Sequence, residues 1–93
     1  MVLHTVNKPG EPLRLCLASH APDDAVLLIE DGVHAVWGQQ ATALAALRGG
    51  IYVLAEDVAL AGINRPLPAW TIPVDYAGFV ELVVAGDKMQ SWF

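Results

Sequence analysis

Residues Ala25 to Ile29 read AVLLI, five apolar residues in a row with polar turns on either side. A strand of an ordinary antiparallel sheet alternates, because one of its faces meets water. A continuous run of this length belongs to a strand covered on both faces, as in a parallel sheet flanked by helices. The rest of the chain must supply those helices, and it does. Val2 to Val6 (VLHTV) predicts a strand, broken by Asn7, Lys8, Pro9 and Gly10. Pro12 suits a first helical turn, and the spacing predicts a helix to about His20. Glu30, Asp31 and Gly32 end the AVLLI strand, and Gly32 to Trp37 reads as a short helical piece. Gln40 to Arg48 is rich in alanine and leucine and predicts a helix stopped by Gly49 and Gly50.

Ile51 to Leu54 (IYVL) predicts a third strand, and Glu56 to Ala61 a short helix closed by Gly62. Asn64 to Ala69 holds two prolines and reads as a loop. Trp70 to Val74 (WTIPV) predicts a fourth strand, which Pro73 assigns to a sheet edge or a strand end. Asp75 then caps a last helix, Tyr76 to about Val84, with Tyr76, Phe79, Val80 and Val83 as its expected buried stripe. Strand and helix alternate four times. That order gives an α/β fold with a mainly parallel sheet of about four strands and helices on both faces. Residues 1–93 are expected to form one domain.

Composition narrows what such a domain can do. The 93 residues are 55% hydrophobic and 16% charged, with a formal net charge of -5. Disorder is excluded at that apolar content. A domain this small hides only a modest fraction of its surface, so the apolar excess points to partner surfaces, in homo- or hetero-oligomers. Five Lys and Arg against ten Asp and Glu cannot build a broad phosphate-binding face, which argues against direct nucleic-acid binding. No apolar run reaches the length of a membrane span, and MVLHTVNK lacks the pattern of a signal peptide. A single cysteine makes no internal disulfide, which fits a cytoplasmic protein.

In an open parallel sheet, ligands gather at the carboxyl ends of the strands. Here those ends carry Asn7 and Lys8, Glu30 and Asp31, Glu56 and Asp57, and Asp75. The edge is acidic, and no strand leads into a glycine-rich phosphate loop, so no nucleotide or flavin cofactor is expected. The same acids also suit helix starts, where negative charge is favoured. Cys16 is the one obvious nucleophile, with His20 one turn on at i+4. It is either a thiolate that accepts sulfur as a persulfide or a small core residue. Its place more than a turn into the helix, in an acidic protein, favours the second. His4 reads as a satisfied interior or interface histidine, because no Ser or Cys adjoins it to complete a triad. His34 follows the EDG turn and faces a partner or solvent. No Cys/His set has zinc spacing, so no metal is expected. The chain closes on Trp92 and Phe93, either a plug on its own core or a dock for a partner, where aromatics are enriched. Gly86 is read as the end of the last helix, with Asp87 to Phe93 running back over the surface.

Four stretches together carry a family pattern: LHTVNK at Leu3 to Lys8, LLIEDGVHA at Leu27 to Ala35, IYVLAEDVALAG at Ile51 to Gly62, and VDYAGFVELVVAGDKMQSWF at Val74 to Phe93. The chain resembles the DsrH/TusB family, the smallest subunit of the DsrEFH and TusBCD sulfur-relay complexes. The resemblance implies a three-layer α/β/α sandwich. It implies two related partners, of the DsrE/TusD and DsrF/TusC types, in a dimer of heterotrimers. Sulfur-carrier proteins of the TusA, TusE or DsrC type would exchange persulfide sulfur with that complex. In the Tus branch the sulfur ends in 2-thiouridine at the tRNA wobble position; in the Dsr branch it serves sulfur oxidation. The principal sulfur-carrying cysteine lies in the DsrE/TusD-type subunit, which makes this chain at most an accessory subunit of a sulfurtransferase. Cys16 stands where DsrH-type members carry a cysteine and TusB-type members can lack one. The isolated chain is expected to self-associate.

Overall fold

A computed structural model describes all of residues 1–93. Five strands form one sheet: β1 (Val2–Val6), β2 (Ala25–Leu28), β3 (Ile51–Leu54), β4 (Thr71–Val74) and β5 (Lys88–Trp92). All are parallel, in the order β4-β3-β2-β1-β5. The helices are α1 (Glu11–Ser19), α2 (Ala41–Ala45), α3 (Ala55–Ala61) and α4 (Tyr76–Ala85), with a 3-10 segment at Glu30–Trp37.

Crossover handedness explains the layers. From β1 to β4 the chain steps along the sheet in one direction, so right-handed crossovers place α1, the 3-10 segment, α2 and α3 on the same face. The return from β4 to β5 runs the opposite way, and α4 therefore lies on the other face. The two hydrophobic clusters match this division. The larger packs Leu13, Cys16, Val33, Val36 and Leu44 against Val6, Val26, Leu28, Ile51 and Val53. The smaller sets Leu3, Ala25 and Leu27 under Phe79 and Leu82 of α4. β2, the AVLLI strand, is buried along its whole length, as a central parallel strand must be.

The sheet has five strands, not four. KMQSW does not run back over the surface but pairs with β1 from Val2↔Lys88 to Val6↔Trp92. Its first three residues are exposed, so nothing in their hydrophobicity marks a strand; pairing to β1 makes it one. α4 is also rotated from expectation. Its inward side carries Gly78, Phe79 and Leu82, while Tyr76, Val80 and Val83 face out. With Glu81 the one charged residue among ten, periodicity has almost nothing to distinguish one side from another. The helix expected over Gln40 to Arg48 stops at Ala45. Only Leu44 anchors it in the core, and the chain must leave it early to bring Gly49 against the Asp24 carbonyl. Other expectations hold in place: Pro12 in the first turn of α1, Gly62 as a left-handed C-cap at φ 67°, Pro73 on an edge strand, and Asp75 capping α4 through Gly78 N–H at 2.8 Å.

Candidate functional site

Cys16 sits on the inward side of α1 and is fully buried in the larger cluster. Burial pushes its thiol up to about 12, and the nearby Asp24 carboxylate adds to the shift. At that value roughly one thiol in 10⁵ is ionised at pH 7. His20, one turn on, does not activate it. Its Nε2 lies 2.8 Å from the Asp24 main-chain oxygen and donates there. We expect Cys16 in the native chain to resist alkylation at neutral pH and to react fully in denaturant, as thiol counting by mass would read. Reaction at the native rate of a free thiol would contradict this.

Asp24 organises the amino end of the sheet. Its Oδ1 accepts from Val2 N–H at 2.9 Å, and its Oδ2 from Ala21 N–H at 3.0 Å and His4 Nε2 at 2.8 Å. Both side chains of the His4–Asp24 pair are almost wholly buried. Burial alone would raise the Asp24 pKa. The hydrogen bonds from His4, Val2 and Ala21 outweigh it and hold the carboxyl well below the usual range. On the far side of the ring, Trp92 Nε1 donates to His4 Nδ1 at 3.1 Å. His4 is thus a satisfied interior histidine, and Asp24 is the residue that sequence reasoning passed over as part of a turn. The available signal was His4 itself: an imidazole inside an apolar strand requires buried partners.

The carboxyl edge gathers the acids as expected. A depression of about 240 Å³ there is lined by Glu30, Asp31, His34, Asp57, Leu60 and Ala61. Glu30 has left-handed backbone geometry, φ 51°, and its N–H donates to Asp57 Oδ2 at 2.6 Å. The acids stand in first turns: Glu30 and Asp31 of the 3-10 segment, Glu56 and Asp57 of α3. No group of three or more His, Cys, Asp or Glu side chains has the arrangement of a metal site. His34 is half-buried in this depression.

Trp92 packs against the larger core from the end of β5, whereas Phe93 beyond it is 80% exposed. Cys16, His34 and Phe93 belong to three different places: the core beneath α1, the acidic depression, and the free end of β5. The structure does not bring them into one catalytic constellation. A second feature had no counterpart in the sequence reading. The outer side of α4 presents Val84 at 79%, Tyr76 at 62% and Val80 at 58% exposure, with Ile72 of β4 and Met89 of β5 also exposed on that face of the sheet. No helix is long and apolar enough to cross a membrane.

Known proteins share both the sequence and the architecture. The family model described as "DsrH like protein" matches residues 9–89. Protein TusB of Escherichia coli O139:H28 (strain E24377A / ETEC) is 36% identical over 73 residues, covering 74% of this chain and 75% of the relative. Protein TusB of Shigella boydii serotype 18 gives the same figures. Among solved structures, the crystal structure of the ychN protein from E. coli aligns with a TM-score of 0.75 at 18% identity, over 98% of this chain and 97% of that one. That last likeness concerns the fold, an all-parallel α/β sheet layered by helices. The match along residues 9–89 and the TusB relatives establish the lineage: this chain belongs to the DsrH/TusB family.

Proposed function

We propose that the chain is the smallest subunit of a cytoplasmic sulfur-relay complex and that it docks and shapes its partners rather than carrying sulfur itself. Family membership supports the relay; the burial of Cys16 carries the choice of docking over carriage. A persulfide acceptor must meet its donor, and a thiol sealed in the core with a pKa of about 12 is neither accessible nor nucleophilic. Partners of the DsrE/TusD and DsrF/TusC types would supply the reactive cysteine. The outer side of α4 and Phe93 would supply contact area, since exposed apolar surface of this kind on a small domain marks a contact with a partner.

The test is co-expression with both partner types. Val80→Asp combined with Val84→Asp is expected to abolish co-purification, with complex yield falling at least about tenfold, while the domain keeps its Tm, because both side chains already face water. Co-purification of the double variant at wild-type yield would remove α4 from the interface. Mass spectrometry of the assembled complex after a persulfide donor is expected to find no added sulfur on Cys16. An adduct lost in Cys16→Ser would establish carriage instead. Genes for DsrE- and DsrF-like proteins beside this one are expected, and their absence from the genome would count against the complex. A neighbouring dissimilatory sulfite reductase would select the sulfur-oxidation branch over wobble-uridine thiolation.

A further inference from the structure

We propose that His4 and Trp92 form a proton-sensitive latch on β5. Trp Nε1–H donates and never accepts. Since Trp92 Nε1 lies 3.1 Å from His4 Nδ1, that nitrogen must present its lone pair. The ring proton therefore sits on Nε2, which donates to Asp24 Oδ2 at 2.8 Å. His4 is fixed as the neutral Nε2–H tautomer by partners on both sides, with its ring stacked near the Trp92 indole at 6.2 Å between centroids.

The only place a second proton can go is Nδ1. Protonation there points two N–H groups at each other and ends the Trp92 hydrogen bond. The other face of the ring loses nothing, because the Asp24 carboxylate accepts from a charged imidazole even better than from a neutral one. The hydrogen bond lost on protonation is thus that of Trp92 alone. The remaining groups around the site do not redirect it. From α1, Cys16 stays neutral at these pH values, and the His20 ring, 5.5 Å from His4, is occupied with the Asp24 main-chain oxygen. From β5, Gln90 is in register with His4 and carries no charge, and Val26 of β2 is apolar. At the amino end the Met1 amine is paired with Asp87 Oδ2 at 2.7 Å, and Asp23 stands in the turn before β2.

β5, which carries Trp92, is an edge strand and open to local release. It has one neighbour, β1, and its first three residues are exposed. Its closing backbone bond, Asn7 N–H to the Trp92 oxygen, is long at 3.4 Å. Segments of this kind open locally at small free-energy cost. Protonation of the ring at Nδ1 is therefore expected to free Trp92 and open the carboxyl half of the β1 edge, while the other strands stay closed.

Nitrogen-15 NMR of the whole chain tests this. At pH 7.5 His4 should show a protonated Nε2 and an unprotonated Nδ1. Between pH 7.5 and 5.5 the Trp92 indole resonance should move, and hydrogen-exchange protection of Asn7 and the β5 amides should fall at least about fivefold while Val26 and Val53 keep theirs. His4→Gln, which can still donate to Asp24 but does not titrate, and Trp92→Phe, which lacks the N–H, should each lose that acid-dependent fall. A proton on Nδ1 at pH 7.5, unchanged β5 protection, or the same fall in either variant would overturn the latch.

Discussion

Asp24→Ala is expected to lower stability by about 3–5 kcal/mol, enough to reduce Tm by roughly 15–30 °C in a domain of this size. The carboxylate receives three donors from two segments, Val2 and His4 of β1 and Ala21 of the turn before β2, and alanine leaves them facing one another without an acceptor. Asn is no remedy. Its amide nitrogen must point either at Val2 N–H or at the pair of donors on the other oxygen. The charge also sets a pH dependence. The folded-state pKa of Asp24 lies below that of the unfolded chain, so its contribution is complete above about pH 5 and drains away as the pH falls through the carboxylate range and below. Wild type should therefore lose stability steeply below about pH 4, and Asp24→Ala should lose less over the same interval. Thermal melts across pH check both statements; a Tm within about 5 °C of wild type at pH 7 would refute the first.

Gly32→Ala is expected to cost at least about 3 kcal/mol, with a large fall in soluble yield. A Cβ at Gly32 would stand 2.2 Å from the Val6 carbonyl oxygen and 3.0 Å from its carbon. That carbonyl cannot swing aside, because it accepts from Ile29 N–H at 3.0 Å. The 3-10 segment crosses the end of β1 at this point, so the clash separates two elements of the core. Gly62→Ala is the matched control. Its backbone is left-handed, but a Cβ there meets nothing within 4 Å. It should cost only about 1–2 kcal/mol, from conformation alone. Denaturation midpoints of the two variants side by side separate crowding from backbone preference. Equal losses would mean that the approach at Gly32 relaxes.

These residues also show what could be read without coordinates. The central strands were legible because burial on both faces leaves an unbroken apolar run, as in AVLLI and IYVL. Punctuation by Gly10, Gly62, Pro73 and Asp75 was legible because each acts on its own backbone. β5 was not, because KMQSW has no local reason to be extended; its reason is β1, 86 residues away by register. The inward side of α4 was hidden by an apolar composition on all sides. Asp24 looked like a turn acid because the donors it satisfies come from Val2, His4 and Ala21, which only the folded chain brings together. The Cys16 environment was half legible: its helical position predicted burial, but the Asp24 carboxylate beside it was not visible. The closing aromatics separate, with Trp92 held on the chain's own core and Phe93 left to the solvent.

The sheet order β4-β3-β2-β1-β5 places β5 beside β1, with all the other strands made between them. On the ribosome, β1 can find β2 as soon as Leu28 emerges, yet its other edge stays open until Trp92 has been made and released. Throughout elongation the nascent domain would therefore display a bare strand edge beside an unfilled place in its core. Such an edge can add any extended segment that meets it, including the same edge of another nascent chain. Synthesis close to related chains would turn that exposure into a period of vulnerability, with the pairing of β5 as the event that ends it.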